Sequence, residues 1–195
     1  MRTLIVSNII SIDGYYEGPG GNVMALPMDA SFNAYNVERL RAADTLLLGA
    51  NTFRGFAAYW PPVADDPSAD DDNREISRLN GAIDKLAISD SLTAGDAGAW
   101  ADTSRIVPRA DAHHVIRELK QKDGGEILMF GSRTTWHDLF KAELVDELHL
   151  MVGGAVLGGG TPAFPDGAAA KLELLGTRTS DGSDNVLVRY GVRRG

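Results

Sequence analysis

Between Glu126 and Gly160 the chain alternates sharply between apolar runs and glycine turns, and this stretch restricts the fold more than any other. Ile127-Leu128-Met129-Phe130 is a short unbroken apolar run, which reads as a buried strand. Gly131-Ser132-Arg133-Thr134 breaks it, and Trp136, Leu139 and Phe140 then recur with helical spacing. A hydroxyl from Ser132 or Thr134 can cap that helix by accepting from a first-turn amide that has no intrahelical acceptor. Gly131 lets a ligand approach the backbone, and the free amides and helix dipole favour an anion there. Replacing Gly131 with Val is therefore expected to block that approach while leaving the fold intact. Leu144-Val145-Asp146-Glu147 leads into a second β-rich run, His149 to Val152, closed by the glycines up to Gly160. Strand, glycine turn, helix and strand together predict half of a nucleotide-binding unit; an ordinary crossover whose glycines only make turns remains the alternative.

The same grammar occurs earlier. Thr45 to Leu48 reads as a strand that ends in Gly49-Ala50-Asn51-Thr52-Phe53-Arg54, another strand–turn–helix junction. Around these junctions, Thr3 to Ile12 reads as a buried first strand, and Asp13-Gly14 turns it into the glycine-rich loop up to Gly21. Phe32, Tyr35, Val37 and Leu40 predict a helix over 29–41. Tyr59 to Asp72, with Pro61-Pro62 and several aspartates, reads as a solvated irregular loop, with Asp72 or Asn73 capping a helix that carries Ile76 and Leu79. Lys85 to Ser89 and Ser104 to Val107 read as strands, and 94–102 as a loop between them. Val115, Ile116 and Leu119 face inward on a helix over 111–122, capped by Asp111. Lys171 to Thr179 and Asn185 to Val192, around Asp181-Gly182, form a β-hairpin signature. The total is roughly seven to nine strands in one α/β domain covering residues 1–195.

Composition narrows the function. With 27 acidic against 19 basic residues the net charge is -8, and Arg189 to Arg194, the only basic grouping, is spread along a strand and tail, so no nucleic-acid partner is expected. The absence of cysteine removes disulfides, thiolate nucleophiles and Cys-based metal sites. His113 and His114, adjacent on a helix, diverge by about 100° and are read as exposed; His137 and His149 are isolated, so spacing assembles neither a metal site nor a triad. With no signal pattern and no apolar run of membrane length, a cytoplasmic protein with no membrane partner is the default expectation.

The order of motifs is more specific than any one of them. Ser11-Ile12-Asp13-Gly14-Tyr15, Gly131-Ser132, Leu144-Val145-Asp146-Glu147-Leu148 and Leu157-Gly158-Gly159-Gly160 with Phe164 behind resemble the bacterial dihydrofolate-reductase-like family, which includes the reductase domain of riboflavin biosynthesis. The resemblance implies a dihydrofolate reductase-like three-layer fold with a mixed, mostly parallel central sheet and a C-terminal antiparallel hairpin. It implies a reductase that delivers hydride from NADPH (NADH not excluded) to a small pterin- or pyrimidine-like heterocycle. The alternatives are the riboflavin-pathway 5-amino-6-(5-phosphoribosylamino)uracil reductase itself, or a nucleotide-binding protein that has kept the fold without catalysis. Cofactor contacts are expected from Gly49, Ala50, Asn51, Thr52, Ser89, Gly131, Ser132, Arg133, Thr134, Leu157 and Gly158, and the hairpin is expected to help form a homodimer. Ala50 stands where the family commonly has an arginine, with Arg54 or Arg133 as substitutes, and Asp90 stands where a basic residue would favour a 2′-phosphate. Asp13 is expected to accept from turn amides. Leu26-Pro27-Met28-Asp29 resembles the Leu-Pro-x-Asp stretch of dihydrofolate reductases, which makes Asp29 the candidate proton donor or ring anchor, its pKa raised by desolvation, beside its ordinary reading as an N-cap.

Overall fold

The computed structural model describes residues 1–164 and 169–193; Arg194, the last of the basic grouping, lies outside them. Six strands run parallel: β1 (Leu4–Ser11), β3 (Ala43–Gly49), β4 (Asp84–Ile88), β5 (Ser104–Val107), β6 (Glu126–Phe130) and β7 (Glu147–Gly153). The hairpin β9 (Lys171–Thr179) and β10 (Val186–Arg193) adds two antiparallel strands, giving the order β5-β4-β3-β6-β1-β7-β10-β9. A separate ribbon pairs β2 (Tyr15–Glu17) with β8 (Thr161–Pro162), so the described residues hold ten strands, one more than the upper expectation.

Burial on both faces explains why the central strands are continuous apolar runs rather than alternating ones. Every residue of β1 is buried. Leu4, Val6, Leu47, Ile127 and Met129 face one layer, which contains α4 (Ala112–Gln121) and α5 (Arg133–Lys141). Ile5, Leu46, Leu48 and Leu128 face the other, with Val37 of α1 (Ala30–Ala42), Phe53 of α2 (Ala50–Val63) and Ile76 of α3 (Asp71–Ala82).

Four local expectations are corrected. The stretch from Tyr59 is not irregular at its start: α2 continues to Val63 with Pro61 and Pro62 in its last turn. Prolines there remove two amide donors, but Phe53 and Val63 on the same helix are buried, and that packing outweighs the loss. The cap of α3 is Asp70, which accepts from the Asn73 amide at 2.7 Å, rather than Asp72 or Asn73. Residues 94–103 form 3₁₀ turns opened by a Thr93–Asp96 capping box, and they bury Trp100. Asp111 occupies the N-cap of α4 without a side-chain cap bond. The histidines also differ from expectation: His114 is exposed, but His113 is half-buried against Asp138 at 2.7 Å. Buried His149 sits between the Tyr35 hydroxyl at 2.6 Å and Glu147 at 2.7 Å.

Candidate active site

β3 and β6 are neighbours, paired through Leu47 and Met129, so their glycine ends lie side by side at the same edge of the sheet. Each strand feeds directly into a helix, α2 at Ala50 and α5 at Arg133. The two junctions are lashed together by hydroxyls. Gly49 N donates to Ser132 Oγ at 2.9 Å, Ser132 N donates to Thr52 Oγ1 at 2.9 Å, and Gly131 N donates to Asn8 Oδ1 at 2.8 Å. Ser132 holds a left-handed backbone (φ 52°), a conformation that L side chains adopt at a cost. Its hydroxyl is thereby committed to Gly49 across the cleft, and neither it nor Thr134 makes the expected side-chain cap on α5.

Two helix N-termini therefore converge on one trough of about 280 Å³. The leading first-turn amides have no acceptors within their own helices, although Thr135 N already donates to Ser132 O at 2.9 Å, and both dipoles present their positive ends here. The trough is lined by Gly49 to Thr52, Ser132 to Thr135, Arg109, Tyr16, Glu17 and Thr161. Seven of the expected contact residues, Gly49, Ala50, Asn51, Thr52, Ser132, Arg133 and Thr134, are brought together in this way. Gly131 does not line the trough itself but lies behind two residues that do: an added Cβ would meet Thr52 Oγ1 and Tyr16 Oη at 3.1 Å. Burial, reinforced by the Glu17 carboxylate, pushes the Tyr16 phenol up to about 12, so it stays a neutral donor. A smaller cavity of about 100 Å³ between α1 and the hairpin, beside Tyr35 and Arg178, has no converging amides.

Three other expected residues are engaged elsewhere. The buried Ser89 hydroxyl accepts from the Ser91 and Leu92 amides. The Leu157 and Gly158 amides donate to the two oxygens of Asp13 at 3.1 and 2.8 Å. The Ser11 hydroxyl and these amides hold the Asp13 carboxyl below its usual range. Asp13 is thus an acceptor for turn amides, though the turn belongs to a distant loop.

Asp29 is the N-cap of α1. Oδ1 accepts from Ser31 N, Phe32 N and Ser31 Oγ at 3.0, 3.1 and 2.7 Å, and Oδ2 accepts from Ser183 Oγ at 2.6 Å. Burial pushes its carboxyl up, but the Ser183 and Ser31 hydroxyls and the Phe32 amide outweigh burial and leave it below the usual carboxylate range. The raised pKa expected from desolvation is not found, because the enclosure supplies more donors than apolar surface.

Of the two candidate substitutes for an arginine at Ala50, only one lines the trough. Arg54 is turned to Asp96 at 2.7 Å and to Ser91 O at 3.0 Å. Arg133 lines the trough, with its Nε donating to Pro162 O at 2.6 Å. The second cation is Arg109, on a single 3₁₀ turn after β5, which sequence reasoning missed. Asp90 accepts from Arg109 N at 2.9 Å and lies 3.9 Å from the guanidinium. The acid that looked unfavourable for a phosphate is the group that seats an arginine. No local signal marks Arg109: it is the parallel pairing of Ile88 with Val107 that aligns Asp90 with Arg109 two residues on, and that register belongs to the fold.

A three-layer α/β sheet with this strand order and two glycine-ended strands defines a dihydrofolate reductase-like architecture. The chain belongs to the RibD C-terminal domain family, whose model matches residues 2–187. It is 27% identical over 179 residues to the uncharacterized protein YyaP of Bacillus subtilis (strain 168), covering 91% of this chain and 89% of that one. A Shewanella sp. PV-4 protein provisionally assigned to riboflavin biosynthesis shares the fold with a TM-score of 0.70 at 21% identity, over 99% of this chain and 100% of the other. So does Enterococcus faecalis dihydrofolate reductase, solved with NADP(H), with a TM-score of 0.61 at 14% identity, over 98% and 97%. No helix among the described residues is long and apolar enough to cross a membrane.

Proposed function

We propose that this protein is an NADPH-dependent reductase that transfers hydride to a small pyrimidine- or pterin-like heterocycle. The observation that carries the reading is the convergence of the α2 and α5 N-termini on a trough with Arg109 at one end. Strand order gives the trough a direction: Arg109 follows β5, the paired amides follow β3 and β6, and Tyr16 and Glu17 follow β1. A dinucleotide suits that sequence of groups, with its 2′-phosphate at Arg109 and its pyrophosphate on the central amides. Arg109 favours NADPH over NADH for the same reason. When bound, the nicotinamide supplies the hydride. The chain's own residues bind and orient it, with the Ser132–Thr52 and Ser132–Gly49 bonds fixing the amides before any ligand arrives. Family membership makes an aminopyrimidine, such as the riboflavin-pathway uracil derivative, the first substrate class to test. Titration with NADPH is expected to change tryptophan fluorescence with half-saturation between about 1 μM and 1 mM, the general range of enzyme KM values. No response to millimolar NADPH or NADH would remove the proposal.

In such a reaction Asp29 serves as an ionised ring anchor rather than as the proton donor. Asp29→Asn keeps an acceptor for Ser31 and Phe32, so stability at neutral pH should change by less than about 1 kcal/mol. The sign with pH follows from its lowered folded pKa. Its stabilisation is present above the unfolded carboxyl value and lost as pH falls through the lower folded value, so the Asn variant should show a smaller acid loss. Turnover should fall by at least about tenfold, the scale of one lost charged hydrogen bond to the ring; parental turnover leaves Asp29 as a cap alone.

The hairpin also suggests a homodimer. β9 is an edge strand, and Leu174 and Leu175 on it are 58% and 44% exposed. Sedimentation at micromolar concentration should give a species near twice the 20.9 kDa chain mass; a lone monomer peak would overturn this.

A further inference from the structure

One group in the trough does not suit an anion. Glu17 is half-buried in its lining and, among the described residues, makes no ion pair. Its Oε1 accepts from Thr161 Oγ1 at 2.6 Å, across the β2–β8 register that pairs the two residues. The ribbon is pressed close at this point: a Cβ on Gly160 would lie 2.1 Å from Glu17 O, and Gly160 itself has a φ of +128°. The neighbouring Arg133 is held at Pro162 O through its Nε. The chain thus fixes a carboxylate at the end of the trough opposite Arg109, with Oε2 left over.

A carboxylate beside a phosphate is repulsive, and burial strengthens the repulsion. The same group accepts readily from a vicinal diol, which offers two neutral donors, and acidic side chains read ribose hydroxyls elsewhere for this reason. We propose that Glu17, braced by Thr161, accepts the hydroxyls of the ribose nearest the nicotinamide and so fixes which way round the dinucleotide lies. This rests on the trough being the dinucleotide site. Arg109 would select the phosphate-bearing half and Glu17 the other half, so a reversed dinucleotide would set a phosphate against Glu17.

Glu17→Gln keeps an acceptor for Thr161, so the ribbon should hold. Binding of two probes, NADPH and adenosine 2′,5′-bisphosphate, is measured calorimetrically on the parent and the variant. The bisphosphate contains the Arg109 half and lacks the nicotinamide ribose. The expected result is NADPH binding weakened at least about tenfold, the scale of one lost charged hydrogen bond, with the bisphosphate changed by less than about twofold. Thr161→Val should weaken NADPH in the same selective way, less strongly, and decides the matter if Glu17→Gln does not fold. Unchanged or tighter NADPH binding, or equal loss for both probes, overturns the role of Glu17 while leaving the dinucleotide site standing. A parent that binds neither probe overturns both.

Discussion

Gly131→Val is expected to lose NADPH binding by at least about a hundredfold and to lower stability by roughly 2–4 kcal/mol. Gly131 has a φ of +54°, where a β-branched residue is strained by about 1–2 kcal/mol before any contact is considered. The new Cβ would also stand 3.1 Å from Thr52 Oγ1 and from Tyr16 Oη, and 3.2 Å from Thr52 Cγ2. Thr52 cannot yield freely, because its hydroxyl accepts the Ser132 amide and so holds one junction to the other. Moving it misaligns both sets of first-turn amides, which is why the binding loss should exceed that from one lost contact. An intact fold follows from local sequence alone, but the positive φ and the contacts with Thr52 and Tyr16 mean the fold is weakened too. Thermal melting and fluorescence titration separate the two effects. Gly131→Ala should show the same pattern at smaller size, and it serves if the valine variant does not fold. Parental affinity in a folded variant would place the cofactor elsewhere.

Arg109→Ala should weaken NADPH about ten- to a hundredfold while leaving NADH nearly unchanged, so the preference between them collapses. A charged hydrogen bond to a phosphate contributes about 1.5–3 kcal/mol, which sets that range. Arg109 is exposed and lies on a single turn, so its removal should cost little stability. The Asp90 contact is with the backbone amide as well as the side chain, and the amide bond survives the substitution. Parallel titrations with the two cofactors decide the point: equal weakening would mean that Arg109 acts through general electrostatics, and no weakening that it faces away from the phosphate.

Much of the fold was legible because it is written in local periodicity. The unbroken apolar runs at Thr45–Leu48 and Ile127–Phe130 announce strands buried on both faces, and the glycine after each announces a turn into a helix. The C-terminal hairpin was equally plain, since its alternation and Asp-Gly turn lie within a few residues of each other. The errors fell where packing outweighed local chemistry. Pro61 and Pro62 suggested a break, yet α2 includes them because Val63 beyond them is buried. Ser132 is a good cap residue by type, but its hydroxyl bonds the Gly49 amide 83 positions away.

The sequence by itself determined the strand–glycine–helix junctions, because each is a property of ten or so consecutive residues. The tertiary structure decided what those junctions face. Crossover connections lay β6 between β3 and β1, and only then do Gly49 and Ser132 share a trough. Arg109 comes to it through the pairing of β4 with β5, and Glu17 meets Thr161 across a separation of 144 positions. Hydrogen bonds and charges act over a few ångströms of space whatever the distance along the chain. A carboxylate such as Asp90 or Asp29 therefore reads one way beside its sequence neighbours and another beside the donors that folding brings to it.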